Sequence, residues 1–160
     1  MANLEIRPML ARDYEELVEI EHLIWNETNT PARIHWPSAE AYGRQKAGEL
    51  QWVAVLDGKV AGYINAHHKT KLETNRHVYE IDMGVHPNAQ RKGVGRALLK
   101  EIERVVRERG GRKLSLRVLE TNPGAIAFYK SCGFQEEGRL VKEFIINGRP
   151  VDDILMSKFL

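Results

Sequence analysis

The chain has 160 residues, and its 24 Lys and Arg against 22 Asp and Glu give a formal net charge of +2. This length fits a single domain over residues 1–160, and 42% hydrophobic and 29% charged residues exclude disorder and fibrous repeats. No apolar run approaches the roughly 20 residues of a membrane span, and the first residues lack an export signal. The single cysteine, Cys132, cannot form an internal disulfide. We therefore expect a cytoplasmic protein that does not contact a membrane.

The net charge conceals an uneven distribution. Residues 1–80 carry 9 basic and 12 acidic side chains (net −3), whereas residues 81–160 carry 15 and 10 (net +5). Within 90–117 there are ten basic and three acidic residues. This density suits a polyanionic ligand such as a nucleotide phosphate group, although a solvated helix face is the alternative interpretation.

The first half of the chain predicts two helices and three strands. A helix begins near Asp13, since apolar residues recur at helical spacing in Leu17, Val18, Ile20, Leu23 and Ile24. Ser38 is a typical N-cap for a short second helix that Gly48 ends. The dipeptide Asp57-Gly58 predicts a tight hairpin between two strands. The predicted strands are 4–7, 50–56 and 60–66.

The second half predicts a further strand at 78–85, where apolar and polar residues alternate. A helix follows at 94–109, and then a strand at 113–118. Asn122 and Pro123 begin a short helix that ends near residue 131. Asn147-Gly148 predicts a terminal hairpin. Together these elements indicate an α/β fold with a mixed, mostly antiparallel sheet flanked by helices.

A glycine-rich turn follows the strand at 78–85 and begins the next helix. Its pattern is Gln90, two residues, Gly93, one residue and Gly95. Free amides and a positive dipole at a helix start favour a pyrophosphate there, and glycines allow close approach. The pattern lacks the Gly-Lys-Ser/Thr of a triphosphatase loop, and it fails the dinucleotide fingerprint because Leu98 replaces the third glycine.

The glycine-rich turn is followed by a second motif, and together the two motifs resemble those of a known family. The turn comes after Val85-His86-Pro87, and further along the chain stand Asn122-Pro123-Gly124-Ala125, Phe128-Tyr129 and Gly133-Phe134. In this order the two motifs resemble the GNAT superfamily of acetyl-coenzyme A-dependent N-acetyltransferases over nearly the whole chain. The resemblance implies the GNAT fold, with a V-shaped splay between the fourth and fifth strands that holds acetyl-CoA.

The resemblance also implies how acetyl-CoA is bound. Main-chain groups of Met83 and Val85 would pair with the pantetheine arm, and Val85 N–H would polarise the thioester carbonyl. Asn122 would contact the pantetheine amides, in addition to capping its helix. The pyrophosphate would lie on the glycine-rich turn, whose implied binding residues are Gln90, Arg91, Lys92, Gly93, Val94, Gly95 and Arg96.

Acetyl transfer to an amine needs a base, because an alkylammonium with a pKa near 10 has no lone pair at neutral pH. Glu80 and Asp82 are the candidates, and both project from one face of their strand, with solvation of an exposed strand face as their alternative role. Glu80 is our choice, since it is similar in position to a glutamate of the phosphinothricin acetyltransferase-like branch, and Asp82 would bind the amine. Tyr129 aligns with the family's acid for the leaving thiolate, and aromatic packing is its alternative role. Cys132 is expected to pack rather than to react.

The expected function is direct transfer of an acetyl group from acetyl-CoA to a primary amine, with a small amino compound favoured over a protein N-terminus or lysine. Trp25, Trp36 and Tyr42 are expected either to shape the acceptor pocket or to pack in the core. No metal site is expected at His67, His68 or His77, because no cysteine or carboxylate cluster accompanies them at ligand spacing. A non-catalytic acyl-CoA sensor is the rival, and nucleic-acid binding is not expected. The terminal hairpin would leave an edge strand suited to a homodimer.

Overall fold

The computed structural model describes residues 3–160, which form one seven-stranded sheet with helices on both faces. The sequence-based elements are recovered in their predicted order. The strands are β1 (Leu4–Pro8), β2 (Leu50–Leu56), β3 (Lys59–His68), β4 (Val78–Val85), β5 (Lys113–Leu119), β6 (Gln135–Ile146) and β7 (Arg149–Phe159). The α-helices are α1 (Tyr14–Ile24), α2 (Ala39–Lys46), α3 (Val94–Glu108) and α4 (Pro123–Ser131).

The sheet order is β1-β2-β3-β4-β5-β7-β6. Every neighbouring pair is antiparallel except β4 and β5, which run parallel with α3 as their crossover. The predicted mixed, mostly antiparallel α/β sheet is therefore confirmed. At the first hairpin, Asp57 and Gly58 have φ values of 50° and 84°, and two positive φ values in succession are what a type I′ turn requires.

Two apolar clusters pack on the two faces of the sheet. The larger lies beneath α3, whose Leu98, Ile102 and Val106 are all fully buried. The smaller cluster packs α1 and α2 against the other face of the sheet. Its buried residues are Leu17, Ile20, Tyr42, Val53, Val60 and Tyr63. One face of α3 is apolar, which accounts for its docking on the sheet, and its outer face carries the basic residues.

Helix α1 begins where the sequence predicts, one residue after Asp13. Residues 11–13 form a 3-10 turn, and Asp13 is buried there, accepting two hydrogen bonds from the Arg7 guanidinium at 2.8 and 2.9 Å. Leu23, one of the apolar residues that predicted the helix, is 53% exposed. Within residues 3–160, no helix combines the length and the apolarity needed to cross a membrane.

Parallel strands β4 and β5 separate soon after they meet. Only Val78–Glu80 pair with Lys113–Ser115. Beyond this point β4 continues to Val85 beside β3, and β5 continues to Leu119 beside β7. The divergence opens the predicted V-shaped splay between the fourth and fifth strands.

Candidate active site

A cleft of about 1400 Å³ occupies the splay between β4 and β5. Its walls come from α1 and α2 on one side and from the start of α3 and α4 on the other. Small-molecule pockets usually enclose about 300–1,000 Å³, so this cleft has room for an extended ligand and a second, smaller one.

The glycine-rich turn lies at one end of the cleft. Gly93 immediately precedes α3 with φ of 80°, a left-handed conformation that favours glycine, and a Cβ there would meet nothing within 4 Å. No side chain of the described residues caps this helix start. The first amides of α3 are thus available to an anion, as predicted.

Most of the turn residues predicted to bind the cofactor line the cleft. Gly95 does so under the ring of Phe128, and a Cβ at Gly95 would lie 3.0 Å from Phe128 Cζ, which accounts for the second glycine. Lys92 is exposed and is not among the lining residues, so the structure does not bring it to the cleft. The turn residues that do line it are Gln90, Arg91, Gly93, Val94, Gly95 and Arg96.

Strand β4 presents an unpaired main-chain edge to the cleft. His86 N donates to Ala61 O at 2.7 Å, so this position faces β3. Because hydrogen-bonded and non-hydrogen-bonded pairs alternate along an antiparallel ladder, Val85 and Met83 direct their N–H and C=O groups to the opposite edge. That edge has no partner strand beyond Glu80. An extended amide chain can therefore add to β4 as a further strand.

Two predicted residues on and before α4 also reach the cleft. Asn122 Oδ1 accepts a hydrogen bond from Ala125 N at 3.3 Å, which is the expected N-cap. Tyr129 packs edge-to-face with Phe128 and Phe134, and it too lines the cleft. Burial, and next the negative charge of Asp82, raise the pKa of the Tyr129 hydroxyl above its usual value. This phenol therefore keeps its proton at neutral pH, and its raised pKa makes it a weaker acid than an ordinary tyrosine.

The two candidate carboxylates on β4 have different surroundings. Asp82 lies beyond the last β4–β5 pair and lines the cleft, where it accepts a hydrogen bond from Asn65 Nδ2 at 3.0 Å. Burial raises the pKa of Asp82 to about 6. Glu80 is the last residue still paired with β5 and is not among the lining residues. Only one of the two carboxylates therefore faces the cleft.

Glu80 is engaged in ion pairs. Its Oε1 lies 3.4 Å from His67 Nε2, and its Oε2 lies 3.8 Å from Lys69 Nζ. The hydrogen bond with His67, opposed by burial and assisted by the charge of Lys69, lowers the pKa of Glu80. A lowered pKa makes a carboxylate a weaker base, whereas the raised pKa of Asp82 brings that group closer to neutral pH.

The surroundings of His67 were not anticipated from the sequence. Its Nδ1 lies 3.1 Å from Glu49 Oε1, and ligand atoms of Glu49, His67 and Asp82 all lie within 4.8 Å of one another. The fold thus assembles carboxylates around this histidine that the sequence spacing did not reveal. Hydrogen bonds to Glu49 and Glu80 raise the pKa of His67 to about 10. With His67 protonated, its contacts with Glu49 and Glu80 form an ion-pair network.

The end of the cleft beside α1 and α2, which is the expected acceptor end, contains residues that no motif identified. Glu21 of α1 and Lys46 at the end of α2 line it, together with the expected Trp25 and Trp36. Tyr42 is instead fully buried and packs edge-to-face against Trp36 at 5.2 Å between ring centroids. Glu21 stands four residues after Leu17 and three before Ile24, so helical periodicity places it on the apolar face of α1.

The family assignment follows from comparison with known proteins. Residues 9–134 match the model of the acetyltransferase (GNAT) family, which is more than half of the chain. The chain belongs to the GNAT acetyltransferase family. The predicted resemblance and the assignment as an N-acetyltransferase are thereby confirmed.

Two curated relatives are similar over different lengths. The L-amino acid N-acetyltransferase AaaT of Escherichia coli K12 is 30% identical over 162 residues, covering 99% of both chains. The spermidine N(1)-acetyltransferase of Vibrio cholerae is 40% identical over 86 residues, which are 51% of this chain and 50% of the relative. The chain thus spans only half the length of the second relative.

A solved structure connects the fold to the cofactor. The phosphinothricin acetyltransferase of Sinorhizobium meliloti, in complex with acetyl-CoA, superimposes with a TM-score of 0.87 at 25% identity. The match covers 98% of this chain and 88% of that one. This complex agrees with the prediction that the present protein uses acetyl-CoA as its cosubstrate.

Proposed function

We propose that this protein transfers the acetyl group of acetyl-CoA directly to the primary amine of a small amino compound. The observation that carries the proposal is the splay between β4 and β5, because it joins an unpaired strand edge, a free helix start and the Asp82 carboxylate in one cleft. We also propose that residues 1–160 act as a single catalytic domain, in agreement with the one continuous sheet formed within residues 3–160.

Acetyl-CoA fits the groups that the cleft offers. The amides at the start of α3 suit its pyrophosphate, and Arg91 and Arg96 add positive charge nearby. The free edge of Met83 and Val85 suits the amides of its pantetheine arm, and Val85 N–H suits the thioester oxygen. When bound, acetyl-CoA supplies an activated acyl group. Asn122 is our proposed further contact, and Lys92 contributes only long-range attraction.

Asp82 is our proposed proton acceptor. It lines the cleft, and with a pKa of about 6 it is ionised at neutral pH while remaining a stronger base than an ordinary aspartate. It removes a proton from the acceptor ammonium, directly or through water, and leaves the nitrogen lone pair free to attack the thioester carbonyl. Tyr129 then donates its hydroxyl proton to the departing thiolate. Glu80, the candidate favoured by the resemblance, holds His67 in place on the same face.

Exchange of each carboxylate for its amide separates the two candidates. We expect Asp82→Asn to lower kcat by about 10²- to 10⁴-fold with little change in acetyl-CoA affinity, because it removes the base. The wild-type kcat/KM for the amine rises with pH through about 6, since Asp82 must lose its proton before it can accept another. Thiol release measured between about pH 5 and 8 gives both kcat and kcat/KM for the amine.

Glu80→Gln is the matched control for this experiment. It should keep the rise near pH 6 and most of the turnover, because its side chain does not line the cleft. If Asp82→Asn is active and Glu80→Gln is inactive, the proton acceptor is Glu80 and not Asp82. If no amine in a broad panel releases thiol while acetyl-CoA binds tightly, the protein is an acyl-CoA sensor and the enzymatic proposal fails.

Lys46 supports an amino acid as the acceptor. It lines the cleft, and its ammonium lies 5.9 Å from the centre of the Tyr42 ring. Within the described chain the ion-paired lysines are Lys69, Lys113 and Lys158, so Lys46 has no carboxylate within ion-pair distance, and Asp82 acts on it only from farther away. It is therefore available to a substrate carboxylate. The names of AaaT and of the phosphinothricin acetyltransferase also favour an amino acid or its analogue over a polyamine.

Replacement of Lys46 tests the acceptor class. We expect Lys46→Met to raise KM for an L-amino acid by about 10- to 100-fold, because a hydrogen bond to a charged group contributes roughly 1.5–3 kcal/mol. KM for the corresponding decarboxylated amine should not change. Lys100→Met, an exposed position of α3, is the control. Equal effects of Lys46→Met on both acceptors would contradict recognition of a carboxylate.

We further propose a cytoplasmic homodimer that contacts neither membrane nor nucleic acid. The single thiol of Cys132 fits a reducing compartment.

Strand β6 forms one edge of the sheet, and its Val141 and Ile145 are 67% and 70% exposed. Such an edge favours association with a second copy. Sedimentation at micromolar concentration should give twice the chain mass, and the monomer mass would contradict the dimer.

A further inference from the structure

Glu21 is a buried carboxylate on α1 that the proposed proton transfer does not use. It is only 4% exposed, yet it lines the acceptor end of the cleft. Its Oε2 accepts hydrogen bonds from Trp25 Nε1 and from the Tyr63 hydroxyl, the latter at 2.5 Å. These two neutral donors fix the orientation of the carboxylate without neutralising its charge.

The second oxygen of Glu21 is available to a ligand. Oε1 receives no hydrogen bond from residues 3–160. It keeps some surface that solvent or a ligand can reach. No Lys, Arg or His of this described range lies within ion-pair distance of Glu21. By contrast, Asp13, the ion-paired acidic residue nearest to it in sequence, is paired with Arg7. Burial of a carboxylate without a cationic partner is unfavourable, so the site favours a cation brought by a ligand.

The position of Glu21 relates it to the reaction centre. The Tyr63 hydroxyl that donates to Glu21 lies over Gly84 of β4, where an added Cβ would be only 2.8 Å from it. Gly84 lies between Asp82 and Val85, and the β3–β4 register places Tyr63 opposite Gly84 and Asn65 opposite Asp82. Glu21 and Asp82 therefore face the cleft from the same side of the sheet.

We propose that Glu21 binds the ammonium group of the acceptor through Oε1 and thereby selects protonated amines. The inference rests on the proposed function and specifies which residue recognises the amine. A charge-assisted hydrogen bond is short and strong, and here the carboxylate is oriented in advance by Trp25 and Tyr63. Glu21 holds the ammonium, Asp82 accepts its proton, and Lys46 binds the carboxylate at the same end of the cleft.

The experiment uses two probes that differ only at the group in question. L-Norleucine carries an ammonium where (S)-2-hydroxyhexanoate carries a hydroxyl, and both keep the carboxylate. Each is titrated into the full chain, saturated with coenzyme A, while the indole N–H resonances of its tryptophans are recorded by NMR. We expect norleucine to bind at least about tenfold more tightly and to shift the Trp25 resonance, because that indole donates to Glu21.

Glu21→Gln should remove this preference, lowering norleucine affinity to that of the hydroxy acid and leaving hydroxy acid affinity unchanged. Glu19→Gln, exposed on the same helix, is the matched control and should keep the preference. A folded Glu21→Gln that still prefers norleucine overturns the proposal. If Glu21→Gln does not fold, the wild type decides, since a Trp25 resonance that norleucine leaves unshifted also overturns it.

Two further outcomes separate Glu21 from its neighbour and from the proposed activity. Loss of the ammonium preference in Asp82→Asn but not in Glu21→Gln would assign the amine to Asp82 and overturn the proposal. Thiol release is measured separately on the same samples. If the ammonium preference depends on Glu21 and no thiol is released from acetyl-CoA, the binding site stands and the enzymatic proposal fails.

Discussion

The early separation of two parallel strands is the constraint on which the site depends. Strands β4 and β5 share only three paired positions, Val78–Glu80 with Lys113–Ser115, and then diverge. A strand inside a sheet normally satisfies its main-chain groups on both edges, because a buried unpaired amide or carbonyl is costly. Here β4 keeps β3 on one edge and offers the other edge to the cleft. The fold thereby presents an edge strand at the centre of the sheet, where a ligand can complete the pairing.

The charges around this opening follow from the same geometry. Glu80, at the last paired position, is held by His67 and Lys69, whereas Asp82, two residues later, faces the cleft. Burial raises the pKa of Asp82 to about 6, and the nearby Lys46 charge limits that rise. One face of one strand thus carries two carboxylates with opposite pKa shifts, and environments that separate pKa values in this way are typical of acid–base sites.

Local signals allowed the sequence to predict much of the fold and the cofactor end. Hairpin dipeptides, helix caps and a glycine-rich turn act over a few residues, so Asp57-Gly58, Asn122 and Gly93 were identified where the structure places them. The acceptor end depends instead on contacts between distant segments. Glu21 is recognisable as a site residue only when Tyr63 of β3 donates to it, 42 positions along the chain. Similarly, strand periodicity treats Glu80 and Asp82 alike, and only the end of the β4–β5 pairing separates them.

Amide hydrogen exchange along β4 tests the central claim most directly. Because His86 N bonds to β3, the amides of Met83 and Val85 face the cleft, whereas those of Asp82 and Gly84 face β3. Saturating acetyl-CoA should slow exchange at Met83 and Val85 and leave Asp82 and Gly84 nearly unchanged, since only the first pair gains hydrogen-bond partners. Unchanged exchange at Met83 and Val85 in the saturated complex would show that the cofactor does not add to this edge and would contradict the account.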